Sequence, residues 1–438
     1  MRSYLMIMLF CGGFKGLCAM VYTNDAQRTA LHNLNRAIEL RSCIAALKEL
    51  SAMGTTYEPR YVIGTQQCPL VHAYPGLSQL PYIALGTFPT PLERMITLSD
   101  QLNVDLWIKR DDLAGSLDEN KTPTFGGNKE RKFEFILGDA LNRGSRMIIN
   151  IGSVVSNLSP ALALCAQRLG LSCSSFLYHS PGAAMVQHNL LLAHNAGAQL
   201  HWYPLLSLLC YGVAHTMLEY NNAHGSFPYV VPGGGASPLG VLGGVNAAFE
   251  LAEQCKNTGR AMPDVIYIAL GSGTMTAGLM LGLQALGSST KIRAICIVRD
   301  PPENPVRDKV RALFEQTVAF LRSHDEMFPA LAFNDEQLEI DSTMLGAGYG
   351  IITQESKNAV LQVHKAERIM LDGVYTGKTM AALMRDANNG LLKDKTVIFW
   401  DTYSVLADLD YSTHNQMPRA FHRYFEQPLQ EHDPGFIL

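Results

Sequence analysis

A chain of 438 residues, 47% hydrophobic and 17% charged, is long enough for two or three domains with sizeable cores. Its 35 basic residues are balanced by 39 acidic ones and no polybasic run occurs, so it lacks the charge signature of a nucleic-acid or membrane-surface protein; a small molecule is the expected partner. Nine cysteines, odd in number, irregularly spaced and without a Cys-x-x-Cys pair, argue against a disulfide framework or a zinc site and for buried thiols in a reducing compartment.

The apolar run from Tyr4 to Phe10 has the look of a short signal segment, but Gly12, Gly13 and Lys15 interrupt it and the cleavage site is poor. The cytoplasm is therefore expected over export. No stretch of about 18 apolar residues occurs, so no membrane span is predicted. Ala26 to Met53 has helical periodicity, and Gly54 to Gln79 reads as loop, which makes residues 1–80 an N-terminal extension.

From Leu80 onward strands and helices alternate. Strands are predicted at Val104–Lys109, Arg146–Ile151, Ser172–Tyr178, Asp264–Leu270, Lys291–Val298 and Thr396–Asp401. Helices are predicted at Asn128–Asn142, Ser159–Leu169 and Ala183–Asn195. Apolar strands without clean alternation, separated by helices, define an α/β protein with parallel-rich sheets flanked by helices. Ligands in such folds sit at the carboxyl ends of the strands.

Three segments fall in such places. Phe125-Gly126-Gly127-Asn128-Lys129 puts a lysine in the first turn of a helix, where its pKa is depressed and its amine becomes nucleophilic enough for imine chemistry. The neighbouring Arg131 and Lys132 read as a solvated helix face. Gly271-Ser272-Gly273-Thr274-Met275-Thr276 follows a strand and opens a helix, as a phosphate cradle does. It lacks the lysine ending of a nucleoside-triphosphate loop and suits a phosphate monoester. A side chain at Gly273 is expected to block approach of the phosphate. Ser156-Asn157 follows a third strand; alone, either residue is as well explained as a helix cap.

These segments belong to a collinear set: Gly86-Thr87-Phe88-Pro89-Thr90-Pro91-Leu92, Lys109-Arg110-Asp111-Asp112, Gly126-Gly127-Asn128-Lys129, Ser156-Asn157, Gly271 to Gly278, Tyr349-Gly350, and Leu371-Asp372-Gly373-Val374-Tyr375-Thr376-Gly377-Lys378. The set resembles the D-cysteine desulfhydrase and 1-aminocyclopropane-1-carboxylate (ACC) deaminase family, a branch of the fold-type-II pyridoxal-phosphate enzymes related to tryptophan synthase β. The resemblance implies a two-domain fold: a large cofactor domain of residues 81–131 and 240–438, and a small inserted domain of 132–239. It implies pyridoxal 5'-phosphate as cofactor, a small amino acid as substrate, and a homodimer.

By the same resemblance Lys129 forms the Schiff base and moves protons at Cα, and Asn157 binds the cofactor's phenolic oxygen. Ser156 faces the substrate carboxylate. Gly271, Ser272, Gly273, Thr274, Met275 and Thr276 hold the phosphate, and Tyr349 and Tyr375 line the substrate side. Thr376 and Thr402 stand near the pyridine nitrogen, where deaminases place a carboxylate and desulfhydrases a small hydroxyl residue. A carboxylate keeps that nitrogen protonated for ring opening, whereas a hydroxyl suffices for loss of a good leaving group. The implied activity is that of a lyase: β-elimination from D-cysteine, giving pyruvate, ammonia and sulfide. ACC deamination is the alternative, and cofactor binding without turnover a third. Leu158, Gly244 and Tyr403 depart from the family pattern and are expected to alter the substrate wall, with Tyr403 crowding the cleft.

Overall fold

The computed structural model describes residues 60–62, 68–116, 124–204, 206–302, 305–403 and 411–435; the predicted helix Ala26–Met53 and the signal-like run lie outside them. Ten strands follow in chain order: β1 Leu92–Arg94, β2 Asp105–Arg110, β3 Met147–Ser153, β4 Ser172–Tyr178, β5 Gln199–Tyr203, β6 Tyr229–Val231, β7 Val265–Leu270, β8 Lys291–Cys296, β9 Leu338–Asp341 and β10 Thr396–Asp401. They form a six-stranded sheet of order β1-β2-β10-β7-β8-β9 and a four-stranded sheet of order β5-β4-β3-β6. Every pairing is parallel except β1 with β2. Parallel strands covered on both faces need apolar residues at successive positions. The run Val265-Ile266-Tyr267-Ile268-Ala269-Leu270 in β7 meets that need, with all but Ala269 buried.

Twelve described helices accompany the strands: α1 Pro69–Ala73, α2 Ile96–Leu102, α3 Lys129–Asn142, α4 Leu158–Arg168, α5 Ala184–Asn195, α6 Leu206–His224, α7 Pro238–Asn257, α8 Thr274–Ala285, α9 Val306–His324, α10 Gln354–Glu367, α11 Thr376–Asn388 and α12 Arg423–Glu426. Helices α7, α8 and α9 contribute to one apolar core of the large sheet, with Ile266, Ile268 and Ile292. Helices α2, α10 and α11 contribute to a second, with Val265, Tyr267 and Ile295. The four-stranded sheet is packed by α4 and α5 in one cluster and by α6 in another.

Two sequence expectations change here. The strands missed are β1, β5, β6 and β9, which are the four sheet edges. At three to five residues each, they are too short to show the apolar run that marks a central strand. The expected loop before residue 80 contains α1, whose start is favoured by Pro69 at its first position. Leu70, Val71, Leu77 and Leu80 are buried in the core of the large sheet, and Asn246 of α7 accepts from the Leu70 N–H at 3.1 Å. Residues 68–80 are thus part of the packed core rather than an appendage.

Candidate active site

Lys129 opens α3, and the chain reaches it through two glycines. Gly126 and Gly127 have φ of +82° and +69°, and a Cβ on Gly127 would lie 2.7 Å from the Thr402 carbonyl oxygen. Only glycine lets this loop press against the end of β10, and the Asn128 N–H then donates to that carbonyl at 3.3 Å. The three residues after Lys129 are buried, which overturns the reading of Arg131 and Lys132 as a solvated face. Arg131 is held by Asp111, at 2.7 Å from Nη2 to Oδ1, and by Glu250, at 2.8 Å from Nη1 to Oε2. Lys109 pairs with the same Glu250. Two cations and two carboxylates balance, which is the condition for burying charge. This cluster bolts the first turn of α3 to β2 and α7.

The Lys129 side chain is half-buried and lines a cavity of about 700 Å³. Burial brings its pKa down to about 8, against the opposing pull of Asp372 and Glu130, and its Nζ donates to Asn128 Oδ1 at 2.9 Å. Lys378 is also lowered to about 8 by burial, but it is absent from the cavity wall and donates to the Leu345 carbonyl at 2.7 Å, tethering the loop that carries Tyr349.

At another wall, Gly271 to Gly273 join β7 to α8, and the first turn of α8 faces the cavity. Ser272 and Thr274 share a hydroxyl hydrogen bond of 2.9 Å. Both hydroxyls lie 3.5 Å from the Gly234 carbonyl, to which Lys132 Nζ donates at 3.3 Å. Met275 and Thr276 complete this wall, and Thr276 Oγ1 is buried with no hydrogen-bond partner. Gly273 has φ of +82°, and a Cβ there would meet Val310 of α9 at 3.1 Å. The glycine answers to backbone conformation and helix packing, at a position that also lines the cavity.

The N-terminus of α4 forms the opposite wall with Ser156 and Asn157. Asn157 Oδ1 accepts from Asn189 Nδ2 at 2.8 Å, which leaves the Asn157 amide as a donor. Tyr349 and Tyr375 share a phenol–phenol hydrogen bond with rings edge to face, and the Ser156 hydroxyl lies beside both. Burial raises both phenols well above the ordinary tyrosine value, so both are neutral at pH 7.

The cavity therefore gathers Lys129, Ser156, Asn157, Gly271 to Thr276, Tyr349, Tyr375 and Thr402. Thr376 is the exception. Its hydroxyl donates to Asp372 Oδ2 at 2.8 Å, where it helps start α11, and it does not line the cavity. The three departures from the family pattern also lie off the wall. Leu158 and Tyr403 are buried in the core of the four-stranded sheet. Gly244 lets α7 approach α8: a Cβ there would stand 3.0 Å from both Gly278 Cα and the Met275 carbonyl oxygen. Tyr403 does not crowd the cleft.

Sequence reasoning missed Lys132, Tyr178, His179, Gly233, Gly234 and Arg299, all on the cavity wall. Tyr178, His179 and Arg299 sit at or just beyond the ends of β4 and β8, so the strand-end rule applied at every strand would have found them. The Gly233-Gly234-Gly235 run was a visible signal of close approach.

An anion-favouring helix start, a buried orphan hydroxyl and a lysine of lowered pKa together fit a phosphorylated aldehyde. Residues 83–402 match the family model described as "Pyridoxal-phosphate dependent enzyme". This chain belongs to the pyridoxal-phosphate-dependent enzymes, and its cofactor is pyridoxal phosphate. A Pyrococcus abyssi protein named for ACC deaminase is 34% identical over 327 residues, covering 74% of this chain and 92% of its own. A D-cysteine desulfhydrase of Serratia proteamaculans is 33% identical over 316 residues, covering 70% and 88%. A crystal structure described as an ACC deaminase homologue superposes with a TM-score of 0.64 at 31% identity, covering 75% of this chain and 93% of that one.

Proposed function

We propose that this chain eliminates the Cβ substituent of a small amino acid, D-cysteine by preference, with release of pyruvate, ammonia and sulfide. The observation that carries the choice is that no Asp or Glu lines the cavity among the described residues, while Thr402 does. The carboxylate with the strongest pull on Lys129, Asp372, has its oxygens engaged by the Val374, Tyr375 and Thr376 N–H groups and the Thr376 hydroxyl. A ring nitrogen without a carboxylate partner favours loss of a leaving group over opening of a carbon ring.

Pyridoxal phosphate, when bound, supplies the electron sink for the pair left at the substrate Cα. Lys129 holds the cofactor and moves the proton at Cα. Gly271, Ser272, Gly273, Thr274, Met275 and Thr276, with Lys132, hold the phosphate, and the Asn157 amide donates to the phenolic oxygen. Ser156 and the first turn of α4 receive the substrate carboxylate. The neutral Tyr349–Tyr375 pair lines the side where the leaving group departs. Thr402, not Thr376, stands for the hydroxyl residue near the ring nitrogen.

The two sheets support a division into a large domain, 81–131 with 240–438, and a small inserted one, 132–239. Among the described residues no helix is long and apolar enough to cross a membrane. The six described cysteines are buried and form no disulfide with one another, which suits a reducing compartment such as the cytoplasm. A homodimer is the assembly proposed. The test of function is a comparison of sulfide release from D-cysteine with 2-oxobutanoate release from ACC by the purified holoenzyme. D-cysteine is expected to be faster. Preference for ACC, the activity for which the Pyrococcus abyssi relative is named, would overturn the proposal.

A further inference from the structure

The cavity wall carries formal charge of one sign only. Its formally charged residues, among those described, are Lys129, Lys132 and Arg299, and none is acidic. Lys129 is committed to the cofactor. Lys132 stands with Ser272 and Thr274 around the Gly234 carbonyl, at the phosphate end. The substrate carboxylate has the N-terminus of α4, with Ser156. His179 is bonded to Tyr424 at 2.7 Å, and burial and Arg423 lower its pKa, so it adds no charge at neutral pH.

Arg299 is left over. It lies just beyond β8, is exposed at the cavity wall, and has no hydrogen-bond or ion-pair partner among the described residues. The acid beside it, Asp300, is engaged: its Oδ1 accepts from the Val306 N–H at 2.6 Å, at the start of α9. An arginine is a fork of fixed donors that matches an oxyanion and stays charged at any physiological pH.

We propose that Arg299 is a specificity-determining residue that receives a second anionic group of the substrate, so that the site also takes amino acids whose Cβ substituent carries an anionic oxygen group. This rests on the reading above, in which the reaction removes that substituent. D-cysteine is then a short member of the substrate range.

The test uses equilibrium binding of serine and O-phosphoserine, each as both enantiomers, to the holoenzyme, read from the cofactor's absorbance. Wild type is expected to bind O-phosphoserine more tightly than serine. Arg299→Ala should cut that preference by roughly two- to fivefold, the range for an ion pair that solvent still screens. Arg299→Lys should retain part of it, and added salt should weaken it in wild type. An unchanged preference in Arg299→Ala would overturn the proposal, as would an equal loss for both ligands, which would place Arg299 on their common carboxylate. A matching loss of pyridoxal-phosphate affinity would overturn it too, by assigning the cation to the cofactor. These binding constants remain measurable if neither D-cysteine nor ACC is turned over, so the two proposals fail separately.

Discussion

The lowered pKa of Lys129 has a kinetic consequence in the cofactor-free protein. Burial moves the amine from 10.5 to about 8. At about 1.36 kcal/mol per unit, this disfavours the ammonium form by about 3 kcal/mol. At pH 7 about 9% of the amine is then neutral, against about 0.03% for a free lysine, an advantage of roughly 300-fold in the nucleophilic form. The rate of cofactor capture, followed by absorbance after mixing with pyridoxal phosphate, should rise about tenfold per pH unit below 8 and level off above it. Asp372 pulls the pKa upward, so Asp372→Asn should shift the midpoint below the wild-type value. A wild-type rate that climbs through pH 10 would refute the reasoning, since it would mean a solvated lysine.

At the phosphate end, Lys132→Ala and Thr274→Ala should each weaken cofactor binding by about 1–3 kcal/mol, measured as dissociation constants, while leaving the lysine linkage in place. Gly234→Ala should weaken it as well, because the added Cβ would overlap Ser272 Cβ at 2.3 Å. Burial opposes ionisation of Glu250, but Arg131 and Lys109 outweigh it and bring its pKa down to about 2. Its stabilising contribution is therefore present above the ordinary glutamate pKa of 4.5 and is lost as pH falls from there toward 2. Glu250→Gln should cost about 3–5 kcal/mol in denaturant unfolding at pH 7, since it leaves buried Lys109 and Arg131 with Asp111 as the one carboxylate between them. For substrate choice, Thr402→Glu should move the ratio of D-cysteine to ACC turnover toward ACC. Thr376→Glu should instead destabilise the fold by setting a second carboxylate against buried Asp372.

The central strands, Lys129 and the Gly271–Thr276 loop were legible from local physical signals, whereas Ser156, Asn157, Tyr349 and Tyr375 were reached through the collinear resemblance. β4 and β10 were read with their observed bounds, β10 from its apolar core Val397-Ile398-Phe399-Trp400. Lys129 and the Gly271–Thr276 loop stood out as glycine-rich starts of helices after a strand or loop. Residues whose meaning depends on distant partners were not legible. Arg131 and Lys132 look solvated in sequence, because nothing there shows that Asp111, Glu250 and Gly234, up to 119 residues away, close around them. Thr376 was misplaced for a related reason. It does stand beside Tyr375, but its hydroxyl donates to buried Asp372 and does not line the cavity. Leu158, Gly244 and Tyr403 differ from the family pattern for packing, which a pattern read residue by residue cannot distinguish from recognition.

The central claim is that Lys129 carries the cofactor. Borohydride reduction of the holoenzyme fixes pyridoxal phosphate covalently on its lysine, and peptide mapping then locates it. The pyridoxyl group is expected on Lys129, and Lys129→Ala should yield no labelled peptide and no turnover. A label on Lys132, the other lysine of the cavity wall, or on Lys378, the other described lysine whose pKa is lowered to about 8, would contradict the account.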